Sequence, residues 1–194
     1  IKVDALRPQS LTNSVRMALA DCTVEGGKSG PEVEPEWGEP GLTAAERVFG
    51  WNSFEVLAFK TGNPENPVNA IPPRARATCQ LRYVVGTDPT EIIPAIETQL
   101  AAHGFGQVAV SPARLGVGKV TRLDPDHPWV RFAAASLAET TEKKPAILPN
   151  LGGTLPNHVF AETLNLPTVW VPHSYAACSQ HAPNEHLLPS VARE

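Results

Sequence analysis

Histidine is unevenly spread, with four of six falling between His158 and His186. His173 and His181 flank the segment Ser-Tyr-Ala-Ala-Cys-Ser-Gln. A neutral imidazole on such a loop can ligate a metal. The spacing matches no short zinc signature of the HExxH kind, so solvated or backbone-bonded rings remain an open reading. Gly152, Gly153 and Thr154 form a turn signal between a short apolar run and a helical pattern. Outward-pointing backbone N–H groups there could hold an anion or a carbonyl oxygen. The alternative is an ordinary tight turn with Thr154 as a cap. Arg82, at the end of an alternating run, could grip a carboxylate through paired hydrogen bonds, and Asn69 could add a donor. Without further information the two also read as plain surface residues.

These side chains need elements to position them. A strand over 1–5 and a helix over 11–21 open the chain, and a Gly-, Pro- and Glu-rich stretch over 26–41 reads as a linker. Thr43-Ala-Ala-Glu46 fits a capping box before a short helix ending near Phe49. A strand over 54–60 and a proline-rich loop over 61–73 come next. Residues 76–85 alternate, so Ala77, Cys79, Leu81, Tyr83 and Val85 would share a buried face. Asp88-Pro89-Thr90-Glu91 predicts a helix start, with an end at Gly104. A strand over 107–111 completes a strand–strand–helix–strand order, short of the split βαβ pattern by a leading strand and helix. Beyond Asp126, helices over 128–141 and 155–164 alternate with strands over 147–148 and 167–171, the latter buried on both faces. A polar loop over 172–183 leads to a further helix start at Asn184.

The bulk properties are globular: 42% hydrophobic and 19% charged residues exclude a disordered chain. Acidic and basic residues are mixed at a net charge of −4, which gives nucleic-acid binding no electrostatic support. No apolar run approaches a membrane span. Cys22, Cys79 and Cys178 are too dispersed for a disulfide framework or a zinc knuckle and read as free thiols of a reducing, cytoplasmic compartment. The opening Ile-Lys-Val-Asp carries no initiator Met and no signal peptide, so the chain reads as processed or as a piece of a longer one.

Four segments, in order, resemble one family, the dinuclear-zinc amidohydrolases that include aminoacylase, acetylornithine deacetylase, succinyl-diaminopimelate desuccinylase and carboxypeptidase G. They are Val68-Asn-Ala-Ile-Pro-Pro73, Cys79-Gln-Leu-Arg82-Tyr-Val, Leu151-Gly-Gly-Thr-Leu-Pro156 and Gln180-His-Ala-Pro-Asn-Glu185, with Asn69 and Arg82 separated by the family's 13 positions. The resemblance runs from about Phe54 to the end and is weaker before Gly50. It implies an α/β chain: a ferredoxin-like (split βαβ) lid, or dimerisation, domain at 1–122, then the C-terminal part of a layered α/β zinc-hydrolase domain at 123–194. His181 would be the last ligand of a site holding two divalent metal ions, expected to be zinc. Asn184 would cap the following helix, with Glu185 in its first turn. Gly152, Gly153 and Thr154 would contact substrate. Asn69 and Arg82 would bind the carboxylate of a small-molecule substrate, partly across a homodimer interface.

The same resemblance places the remaining metal ligands, the general base and an assisting lid His before Ile1. No catalytic residue is therefore assigned in this chain, and by itself it is expected to lack hydrolytic activity. In the intact enzyme the implied reaction is hydrolysis of an amide next to a carboxylate, with metal-activated water and a Glu that shuttles its proton. One rival is a non-catalytic dimerisation or binding module. A serine or cysteine hydrolase is disfavoured, since no Gly-x-Ser-x-Gly elbow is present.

Overall fold

The computed structural model describes residues 3–8, 11–24, 34, 36–113, 117–173 and 178–193. The order is helix α1 (Asn13–Ala20), helix α2 (Ala44–Phe49), strands β1 (Ser53–Thr61) and β2 (Ala75–Arg82), then helices α3 (Ile92–Ala102), α4 (Pro128–Thr141) and α5 (Pro189–Arg193). This is a mixed α/β fold with a small antiparallel sheet. It divides into two compact units, Ile1–Leu11 with Val24–Val120, and Thr12–Thr23 with Thr121–Glu194. Among the described residues no helix is long and apolar enough to cross a membrane.

In the first unit both arms of the Thr43 capping box form: the Thr43 hydroxyl accepts from Glu46 N–H at 3.2 Å, and Glu46 Oε2 accepts from Thr43 N–H at 2.8 Å. Helix α3 starts later than its signal. Asp88 accepts from the backbone N–H and the hydroxyl of Thr90, which holds its carboxyl below the usual range. The next turn is tight, with Glu91 N–H bonded to Asp88 O, so regular helix begins only at Ile92. The strand expected at 1–5 lies partly outside the described residues; within them Asp4–Leu6 is a 3-10 turn that packs against α3 and buries Leu6.

Asn52 is the polar centre of this unit. It is 4% exposed; its amide donates to Leu6 O at 2.7 Å and Thr87 Oγ1 at 2.9 Å, and its carbonyl accepts from Val84 N–H at 2.8 Å. One side chain therefore ties the entry segment, the start of β1 and the exit of β2. Asn52→Ala strands buried backbone groups on two segments and is expected to cost about 3 kcal/mol, measured by urea unfolding. A loss under about 1 kcal/mol would show the tie to be dispensable.

The β1–β2 register pairs Ser53 with Arg82 at one end and Thr61 with Ala75 at the other, with a bulge between Val56 and Ala58. Without the bulge, Phe59 would fall on the face of Glu55. With it, Phe54, Val56, Phe59, Ala77, Cys79 and Leu81 share one face, while Ser53, Glu55, Ala58, Lys60, Arg76, Thr78, Gln80 and Arg82 share the other. The apolar face expected on β2 exists, but it is bare: Phe54 is 50%, Val56 63% and Phe59 65% exposed, and Cys79 is exposed. Burial was the wrong expectation, because among the described residues no element packs against this ribbon.

In the second unit α1 carries the buried side chains Val15, Ala18 and Leu19. It is held to the later chain by Cys22 Sγ, which donates to Ala18 O and Ile147 O at 3.4 Å, and by Lys144 with Asp21 at 2.6 Å. Helix α4 opens on Pro128, with the His127 ring accepting from Trp129 N–H. The strands expected at 107–111, 147–148 and 167–171 do not form. Segment 167–171 carries no regular structure, and Val169 is 38%, Trp170 51% and Val171 43% exposed, so burial on both faces is also overturned. A strand exists only when a neighbour completes its ladder, and β1–β2 is the only such pairing among the described residues. The linker signal at 26–41 lies largely outside those residues.

Candidate functional site

Asn69 and Arg82 stand on the same ribbon but at different ends. Arg82 closes β2 and places Nε 3.5 Å from Glu55 Oε2, both side chains nearly half exposed. An ion pair so wetted contributes about 0.5 kcal/mol. Asn69 lies in the loop beyond the other end, at the centre of a tight turn closed by Ala70 N–H to Val68 O at 2.8 Å. Its neighbours Val68 and Ile71 are 73% and 94% exposed.

The Gly152–Gly153 turn is closed by Gly153 N–H to Leu151 O at 2.9 Å. Gly153 has no left-handed backbone requirement, and a Cβ there would meet nothing within 4 Å. Local folding gives no reason for glycine at this position, while an open backbone suits the close approach of a ligand. Thr154 is not the cap of the next helix: one helical turn at Asn157 and His158 passes into a π-helix, Val159–Thr163. Just past the turn, Asn157 donates to Thr121 Oγ1 and accepts from the Trp170 indole N–H at 2.8 Å. Asn157 thereby fastens the turn to the segment 167–171. Sequence reasoning missed it, and its only signal was its place directly after Pro156.

The loop bearing His181 is shaped by its backbone. Ser179, His181 and Asn184 all take left-handed conformations, φ 57°, 62° and 66°, which cost non-glycine residues on the order of 1 kcal/mol each. Compensating bonds run from Ala182 N–H to Ser179 O, from His186 N–H to Cys178 O, and from His181 N–H to Glu185 Oε2 at 3.3 Å. Cys178, 1% exposed, anchors the loop. Glu185 thus serves the His181 backbone and does not stand in a helix, and Asn184 does not cap one. Helix α5 begins at Pro189, since left-handed Asn184 cannot lead into a helix and Leu188 before proline is biased away from one.

The His181 ring is exposed. His173, Cys178, Glu185, His186 and Leu187 line a concavity of about 400 Å³ in the same unit, and His181 is not among its lining residues. The polar loop expected at 172–183 falls partly outside the described residues, at 174–177. Among those described, no three His, Cys, Asp or Glu side chains gather closely enough to hold a metal ion. The residues present therefore do not by themselves fit one.

No protein-family model matches the sequence, and no curated protein matches it. A solved structure does: an M20 family metallo-carboxypeptidase, Sso-CP2 from Sulfolobus solfataricus, superposes with a TM-score of 0.72 at 20% identity over 96% of this chain and 44% of that one. The chain therefore has the fold of part of that protein and spans less than half of its length.

Proposed function

We propose that the chain is the C-terminal portion of a metal-dependent hydrolase that cleaves an amide bond in an N-acyl amino acid or small peptide with a free carboxylate. The observation carrying this reading is the fold likeness to a metallo-carboxypeptidase over 96% of the chain. The four ordered motifs at 68–73, 79–84, 151–156 and 180–185 add to it. Arg82 and Asn69 bind the carboxylate, the Gly153 backbone approaches the acyl side, and His181 is one ligand among several supplied by preceding polypeptide. Every step that needs the metal belongs to that preceding part; this chain's residues bind and orient.

The exposed apolar surface of the second unit supports the same reading. Leu148, Leu151, Leu155, Leu164, Leu166 and Trp170 are each at least 43% exposed, apolar surface that a preceding part of a larger domain would cover. The bare sheet ribbon of the first unit suits association with a second copy, so the working enzyme is a homodimer. A non-catalytic module would share that association, and zinc content separates the two. The chain joined to its preceding polypeptide should hold about two zinc ions and hydrolyse acyl amino acids, while the 194-residue chain should do neither. A folded, metal-free longer protein would favour the module.

A further inference from the structure

The bulge that sorts β1 also sets Lys60 directly opposite Arg76 on the polar face of the ribbon, with Arg74 entering the same end. All three are exposed. Among the described residues no carboxylate pairs with any of them, whereas Arg82 at the far end of that face is met by Glu55. Like charges directly across a ladder oppose strand pairing. A hairpin selected only for stability would carry an acid or a threonine at one of these two positions.

The base under these cations is stiff. Four prolines, at 64, 67, 72 and 73, restrict the connecting loop. Gly62 takes φ +58° where a Cβ would come within 3.2 Å of Pro72 Cγ, and Asn63 Oδ1 accepts from Glu65 N–H at 3.1 Å. Glu65 is the one acid of the loop sequence and forms no ion pair with the three cations. Unneutralised charge on a preorganised support is the arrangement that binds an anion at low ordering cost.

We propose that this end of the ribbon is an oxyanion site for a carboxylate group, with Arg76 and Lys60 as its principal contacts and Arg74 as a third. A guanidinium beside an ammonium supplies both a planar fork and a point charge. The inference rests on the ribbon alone and stands apart from the hydrolase reading.

Titration of the whole chain with glutarate, inorganic phosphate and sodium chloride at matched ionic strength, read by NMR at the arginine Nε–Hε groups, tests it. Glutarate should shift Arg76 and Arg74 saturably and chloride should not. Phosphate binding tighter than glutarate would overturn the assignment to a carboxylate. The double variant K60Q/R76Q should weaken binding about tenfold or more. K60E should also lose binding yet melt at a higher temperature than wild type, because it turns a repulsive rung into an attractive one. Shifts no larger than those with chloride, binding unmoved in the double variant, or a lower melting temperature for K60E would each overturn the proposal.

Discussion

Equimolar mixing of an Asn69→Ala chain with an Arg82→Ala chain, each joined to its preceding catalytic polypeptide, is expected to restore about a quarter of the wild-type rate, assayed at substrate well below KM where each preparation alone is nearly inactive. The reason is the length of the ribbon. From Ala75 to Arg82 is seven residue steps, about 23 Å at the rise of an antiparallel strand. Asn69 lies beyond the Ala75 end, in a loop whose Val68 and Ile71 are exposed. On the proposed homodimer, a carboxylate held by both residues would take Asn69 from one copy and Arg82 from the other. Random pairing makes half of the dimers mixed, and each mixed dimer holds one intact site of two. Arg82→Ala alone should lower kcat/KM roughly a hundredfold for carboxylate-bearing substrates, mostly through KM. Mixing that recovers nothing, while subunit exchange is shown to occur, would place both residues in service of one chain's site and sink the shared arrangement.

How much the sequence made legible depends on how local each signal is. The Thr43–Glu46 box, the Pro128 start of α4 and the Gly104 end of α3 are set by neighbours in the chain, and all are found. The alternation of β2 correctly grouped Ala77, Cys79 and Leu81 on one face, while Tyr83 and Val85 fall past the end of the strand at Arg82. It did not reveal that the face is bare, since cover comes from elsewhere in space. The Leu57 bulge was equally invisible, because only pairing with β2 decides that Phe59 rejoins Phe54 and Val56. Segments 107–111, 147–148 and 167–171 have strand-forming composition, but no strand partner is present among the described residues. At the site, the crowding of four histidines into 158–186 drew attention to the region, and the motif resemblance alone singled out His181. The left-handed backbone at 181, the Glu185 bond to it and the Asn157 tie arise only when the loop closes on Cys178.

The second large effect concerns His181. In a polypeptide carrying the whole catalytic domain, His181→Ala is expected to lower turnover about a hundredfold or more and to reduce bound zinc. A structural role for the ring is the competing explanation, and the loop geometry separates the two. The ring is exposed, and the loop is held by its backbone bonds and the buried Cys178, none of which uses the imidazole. His181→Ala should therefore leave stability within about 0.5 kcal/mol of wild type. His181→Gly is sharper still. Glycine adopts φ near 62° without the Cβ clash, so relief of strain offsets its greater freedom in the unfolded chain. That variant should be as stable as wild type or more so, and just as inactive. A matching drop in melting temperature and activity would mean that the ring only supports the loop. Full activity in either variant would remove His181 from the metal centre, and with it the residue by which this chain takes part in the chemistry.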